Sequence, residues 1–81
     1  MYKPRSLTGS KNLIGKRIAE LRKRDHISQR KLADRFQLIG IDIDKNVITR
    51  IETEKRFVTD FEIKAFAEIF NVSYEYLIDG I

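Results

Sequence analysis

Helical spacing of apolar residues begins only after the first eleven positions of this chain. Residues 1–11 hold a proline, two serines and a glycine among three basic residues, which is typical of a flexible tail. Beyond Asn12, a suitable N-cap, apolar residues fall at i, i+4 and i+7 among basic side chains: Ile14, Ile18 and Leu21. Asp25-His26 interrupts this pattern. The sequence therefore predicts a basic tail, residues 1–11, followed by one domain, residues 12–81, that opens with an amphipathic helix.

A second and a third helix are predicted on either side of a glycine. Ser28 is a good N-cap for the second helix, whose apolar stripe at i, i+4 and i+7 is Leu32, Phe36 and Ile39. Gly40 stands where a left-handed residue would end that helix. Residues 41–43, Ile-Asp-Ile, then predict a short extended connection whose isoleucines cover the core. Asp44 caps the third helix, whose inward-facing residues are Val47, Ile48 and Ile51.

Two closing helices complete the pattern. Thr59 and Glu62 have the spacing of a capping box, and they precede an apolar stripe made of Ile63, Phe66, Ala67 and Phe70. Asn71 is suited to end this helix, and Ser73 to cap a last short one over residues 74–79 that contributes Leu77. No segment alternates as a strand does. We predict an all-α fold, a compact bundle of five short helices.

Composition excludes several classes of function. The 81 residues contain no cysteine and one histidine, so we expect neither a disulfide framework, nor a metal site, nor a cofactor. There is no glycine-rich phosphate loop and no nucleophile–base pair, because His26 falls in a turn without an orienting partner; we do not expect an enzyme. No apolar run approaches the roughly 18 residues of a membrane span, and the basic N-terminus lacks the apolar core of a signal peptide. We expect a soluble, cytoplasmic protein.

The net charge of +4 is unevenly distributed along the chain. Residues 1–35 carry eleven Lys/Arg against three Asp/Glu, which gives +8, whereas residues 36–81 carry five against nine, which gives −4. A polyanion partner for the first half is one interpretation, because neutralising phosphates releases counterions. A solvated basic surface without a partner is the other.

Four stretches, taken in their order along the chain, give the pattern a more specific meaning: "IGKRIAELRKR", "ISQRKLA", "NVITRIE" and "FAEIFNVSYEYL". Together they span residues 12–80 and resemble the Cro/repressor-type (XRE-like, lambda-repressor-like) helix-turn-helix family. The resemblance implies a transcriptional regulator, more often a repressor, that binds double-stranded DNA as a dimer. Two departures stand out. The link between the second and third helices is about five residues longer than usual, so the turn is not the tight one of about 3–4 residues. Thr53-Glu54 replaces a common Asn-Gly, so we expect the third helix to end differently.

The resemblance places the third helix in the major groove with its first turn at the base edges. It then assigns base reading to Lys45, Asn46 and Arg50, with Thr49 on the same face. The residue types suit this role, because Asn pairs with adenine, Arg or Lys with guanine, and Thr with the thymine methyl group. An ordinary solvated helix face would have a similar composition.

The remaining expectations concern DNA phosphates and the position of the third helix. The family's glutamine after the second N-cap corresponds to Gln29 and implies a phosphate contact, which free N–H groups at a helix start favour. Further candidates for phosphate contact are Lys55, Arg56, Lys16 and Arg17, and the tail residues Lys3, Arg5 and Lys11 would follow DNA or remain uninvolved. Glu52 matches a family glutamate that pairs with a first-helix arginine, here Arg22. Asp42 has no explanation.

The last two helices carry more apolar residues than a small core needs. A second line on the fourth helix, at i, i+4 and i+8, consists of Phe61, Ala65 and Ile69, and further members follow at Tyr74, Tyr76, Ile78 and Ile81. We expect these residues to form a twofold dimer interface. Completion of the core, or contact with another domain, would also account for them. The alternative function on the same fold is a protein-binding adaptor or antitoxin-type module that acts through this C-terminal face.

Overall fold

The computed structural model describes residues 11–80 of the chain. Within this range the chain forms five α-helices and no strand, which confirms the all-α prediction. The helices are α1 (Gly15–Arg24), α2 (Gln29–Leu38), α3 (Lys45–Glu52), α4 (Asp60–Phe70) and α5 (Tyr74–Asp79). Of the predicted tail, residues 1–11, the structure describes only Lys11. The prediction for residues 1–10 therefore lies outside the described residues, as does Ile81.

One apolar core joins all five helices around three phenylalanines. The rings of Phe36 and Phe66 meet edge to face with centroids 4.7 Å apart, and Phe66 stacks on Phe70 at 6.4 Å. Ile43 of the α2–α3 connection is also buried, and Ile41 packs against the core. Ile39, predicted to continue the α2 stripe, is 45% exposed, because α2 ends at Leu38 and Ile39 lies in the turn that follows.

Side-chain caps fix where four of the helices begin. Ser28, Asp44 and Ser73 each accept the backbone N–H three residues later, at 3.0, 2.9 and 3.0 Å. Thr59 and Glu62 form the predicted capping box, with bonds of 3.2 and 2.9 Å. These bonds satisfy N–H groups that the helix itself leaves without a partner, which is why such residues mark helix starts.

All five helices end at or next to a residue in the left-handed conformation: His26, Gly40, Glu54, Asn71 and Gly80. At the end of α3, the Glu54 N–H donates to the Ile51 carbonyl at 3.0 Å and the Lys55 N–H to the Arg50 carbonyl at 2.8 Å. These are the two bonds of a Schellman motif. The expectation that α3 ends differently is therefore wrong, since Glu54 takes the left-handed conformation, with φ 61°, although it is not glycine.

The start of α1 lies directly against the end of α3. Asn12 Oδ1 accepts the Gly15 N–H at 2.8 Å, and Asn12 Nδ2 donates to the carbonyls of Ile51, at 3.1 Å, and Arg56, at 2.8 Å. Gly15 is buried, and a Cβ there would collide with the Ile51 carbonyl oxygen. The absence of a side chain at this position lets the two helices approach each other and sets the position of α3.

Candidate nucleic-acid interface

The inner side of α3 anchors the helix in the core. Ile48 and Ile51 are fully buried, and Val47 packs partly against the same cluster. These residues recur at helical spacing, so they hold one side of α3 inward and turn the opposite side outward. The chemistry of the outward side therefore determines what α3 can bind.

A hydrogen-bonded group of four side chains, the polar clamp, fixes α3 to α1 and α2. Its members are Arg22, Gln29, Thr49 and Glu52. Glu52 accepts two bonds from Arg22, at 2.7 and 3.1 Å, and one from Gln29 at 3.0 Å, and the Thr49 hydroxyl donates to Gln29 Oε1 at 2.9 Å. The hydrogen bond to Glu52 raises the pKa of Arg22 above its ordinary value. The clamp joins Arg22 to Glu52, as the resemblance implied.

Two predicted DNA-contacting residues thus have partners inside the domain. Both ends of the Gln29 amide are used within the clamp, although Nε2 keeps a second N–H for another acceptor. Thr49 is half-buried, and its hydroxyl also lies 3.1 Å from the Lys45 carbonyl. Within the structure, Gln29 and Thr49 therefore serve mainly to orient α3.

The outer side of α3 carries the other three predicted base readers. Lys45, Asn46 and Arg50 are exposed. Among residues 11–80, none of these three side chains has a hydrogen-bond or ion-pair partner. Lys55 is exposed just beyond the end of α3. The result is a helix that is fixed on one side and presents free donors and acceptors on the other.

The candidate phosphate residues fall into two groups. Lys16 is exposed on α1, like Lys55, whereas the two arginines are held within the fold. Arg17 donates to the Leu77 and Ile78 carbonyls at 3.0 and 3.3 Å, and Arg56 donates to both oxygens of Glu62 at 2.9 and 3.1 Å. Arg17 therefore closes the end of α5. A phosphate would have to use the remaining N–H groups of either arginine.

Arg56 also determines the charge state of a buried carboxylate. Burial acts to raise the pKa of Glu62, but the hydrogen bonds from Arg56 and from the Thr59 N–H outweigh it and lower that pKa from its ordinary value of 4.5. The ionised Glu62 in turn holds Arg56, whose backbone carbonyl accepts a bond from Asn12. This network connects α4 with the residues that follow α3.

A polar cleft of about 480 Å³ lies between α2 and the first turn of α3. The polar residues of its α2 wall are Arg30, Asp34 and Gln37, which stand at i, i+4 and i+7, and its α3 wall includes Lys45 and Asn46. These three α2 residues were not among the predicted site residues. Their spacing in the sequence indicated that they share one side of α2, but it could not show that this side borders α3.

The predicted dimer residues divide between a surface groove and the core. Phe61, Tyr74 and Ile78 are 76%, 47% and 38% exposed and line a groove of about 430 Å³, the apolar groove. Ile69 and Tyr76 are half-buried against the core. Ala65 is only 3% exposed, so its placement on the outer surface is wrong: that side of α4 turns into the core at this position.

The described residues form neither a membrane-spanning helix nor a metal-binding cluster. No helix within residues 11–80 is long and apolar enough to cross a membrane. The same range has no group of three or more His, Cys, Asp or Glu side chains placed to hold a metal ion.

Comparison with known proteins gives one match. A family model described as a helix-turn-helix domain matches residues 15–81, which is most of the chain. Searches of curated proteins and of solved structures found no significant match.

Proposed function

Since the chain belongs to the helix-turn-helix domain family, in its Cro/C1-type branch, we propose that it is a sequence-specific DNA-binding transcriptional regulator acting as a repressor. In this proposal α3 enters the major groove of double-stranded DNA. Lys45 and Asn46 meet base edges through the first turn, and Arg50 does so one turn later.

The observation that carries the proposal is the contrast between the two sides of α3. Ile48, Ile51 and the polar clamp hold the helix rigidly, so its orientation does not need to be created on binding. Asn46 and Arg50 extend on the outer side without partners among the described residues. Asn suits adenine N6 and N7, and Arg suits guanine O6 and N7, and each such pair contributes about 1–3 kcal/mol of discrimination.

The phosphate contacts in the proposal come from residues beside α3. Lys55 and Lys16 supply exposed charges, and the second N–H of Gln29 lies at the start of α2, where unpaired N–H groups favour an anion. Arg17 and Arg56 contribute less, because their first partners are within the fold. Such contacts give affinity and register without sequence preference.

We further propose that two copies associate through the apolar groove. Phe61 is a large apolar side chain that is mostly exposed, and apolar patches of this kind mark interaction sites. A twofold dimer would place the two α3 helices about 34–36 Å apart on an inverted repeat. Light scattering at micromolar concentration tests this: a dimer that Phe61→Ser converts to a monomer supports it, and a monomeric parent contradicts it.

The main test measures DNA preference directly. Fluorescence anisotropy would compare a duplex selected from a random pool with a random-sequence duplex over a series of salt concentrations. We expect the selected duplex to be an inverted repeat bound at least about 10³-fold more tightly, with log Kd rising steeply with log salt. Asn46→Ala and Arg50→Ala should reduce this preference.

A matched control separates base reading from loss of charge. Lys23→Ala removes an exposed cation from the last turn of α1, away from the apolar groove, and should leave the preference unchanged. Lys55→Ala should weaken both duplexes alike and reduce the salt slope by about one. If no sequence is enriched and both duplexes bind equally weakly, base reading by α3 is refuted.

The apolar groove also supports the alternative, a protein-binding adaptor or antitoxin-type module. In that case the groove would hold a different protein, and α3 would have no sequence to read. A monomer that binds all duplexes alike would favour this alternative.

A further inference from the structure

The cleft between α2 and α3 contains opposite charges that do not pair. Arg30 and Asp34 stand one helical turn apart on α2, and Lys45 faces them from α3. None of these three side chains forms an ion pair or a hydrogen bond within residues 11–80. Gln37 and Asn46, which line the same cleft, are also without partners in that range. The cleft therefore presents several converging donors and acceptors that the fold does not use.

The connection between the helices keeps Gln37 in this place. Gln37 is in the last turn of α2, and its carbonyl accepts the Gly40 N–H at 3.0 Å in the turn that ends the helix. Ile43 is then buried, and Asp44 caps α3. Both ends of the connection are fixed, so the end of α2 stays beside the first turn of α3.

The chemistry of the cleft does not suit a phosphate. Asp34 and Asp44 both line it and offset the charges of Arg30 and Lys45, so a phosphate would gain no net attraction there and would lie close to two carboxylates. Amide and carboxylate oxygens instead accept hydrogen bonds from amino groups. In the major groove, exocyclic amino groups are presented by adenine at N6 and by cytosine at N4.

We infer that Gln37 is a further specificity-determining residue, and that with Asn46 it forms the binding site for one base that bears an exocyclic amino group. This inference rests on the proposed function, because that proposal places Lys45 and Asn46 at base edges. Gln37 shares their cleft and has a longer side chain than Asn46. The DNA sequence is then read by residues of both α2 and α3, next to the first turn of α3.

The test compares DNA selections made with the full-length parent, with Gln37→Leu and with Gln37→Glu. Leucine keeps the size of the side chain and removes its hydrogen bonds, whereas glutamate keeps acceptors only. For Gln37→Leu we expect one adenine or cytosine of each half-site to lose its enrichment, and affinity for the parent's duplex to fall about tenfold. Gln37→Glu should retain the enrichment.

A modified duplex tests the amino group itself. N6-methyladenine or N4-methylcytosine at that position should weaken the parent about tenfold and leave Gln37→Leu within about twofold. Glu68→Leu, at an exposed helical position on α4 outside the cleft, is the control and should select the parent's sequence.

The outcomes separate the inference from the proposed function. If the parent selects an inverted repeat and Gln37→Leu selects the same sequence with equal strength, the inference is overturned and base reading by α3 stands. If the parent selects no sequence, the proposed function fails and the inference fails with it.

Discussion

Replacing Gly15 with alanine should destabilise the domain, although helix propensity predicts the opposite. Gly15 is the first residue of α1, and alanine in place of glycine in a helix interior usually adds about 0.5–1 kcal/mol of stability, which is the upper limit of the gain here. At this position, however, the new methyl group would collide with the Ile51 carbonyl oxygen and would lie 3.0 Å from Asn12 Oδ1 and 3.1 Å from Glu54 Cγ. Two of these three neighbours are fixed, because the Ile51 carbonyl accepts a hydrogen bond from Asn12.

The expected magnitude follows from these two opposing effects. Forcing a methyl group into a packed contact costs about 1–3 kcal/mol, and more where the neighbour is backbone. After the gain in helix propensity, we expect the free energy of unfolding to fall by about 2 kcal/mol. For a domain of this size, that lowers Tm by about 10 °C.

Urea and thermal unfolding followed by circular dichroism would measure this change. Lys16→Ala, at the next and exposed position of α1, is the control and should change the free energy of unfolding by less than about 0.5 kcal/mol. A Gly15→Ala protein as stable as the parent, or more stable, would refute the close packing of α1 on α3.

Three further predictions concern charge and backbone conformation. Glu52→Gln should lower the free energy of unfolding by about 2–3 kcal/mol, because it leaves Arg22 without a carboxylate; Asp25→Asn at an exposed ion pair should change it little in the same urea titration. Glu62 has a lowered pKa in the folded state, so its contribution is complete above its unfolded pKa of about 4.5 and is lost as pH falls further; Glu62→Gln should flatten the stability profile below about pH 5, and an unchanged profile would contradict this. His26→Gly should raise the free energy of unfolding by about 0.5–1 kcal/mol, because an exposed non-glycine residue there has φ 56°; a loss would show that the histidine side chain is needed.

Features set by neighbours in sequence could be predicted from the sequence. Ser28, Asp44 and Ser73 cap helices through bonds that span three residues, so the residue types carry the whole signal. The left-handed turn at Gly40 is local in the same way. For Glu54, local preference argued against a left-handed turn, yet the residue adopts one, and its carbonyl accepts the N–H of Lys11, which is distant in sequence.

Features that depend on distant contacts could not be predicted. Arg17 was interpreted as a surface cation, but the carbonyls it binds lie 60 and 61 residues further along the chain. Ala65 was placed outside because its spacing from Phe61 matched a second apolar line, and spacing alone does not show where a core ends. Nothing in the sequence marks Gly15 as the contact point of two helices, since Ile51 is far away in the chain.

The bond from the Lys11 N–H to the Glu54 carbonyl, at 3.0 Å, has a consequence for any segment attached ahead of it. Because this bond fixes Lys11 beside the end of α3, anything joined to the chain ahead of Lys11 extends from that point. Ten residues reach at most about 35 Å, close to one turn of DNA. A bulky fusion or dye attached ten residues ahead of Lys11 would therefore stay within that distance of the end of α3.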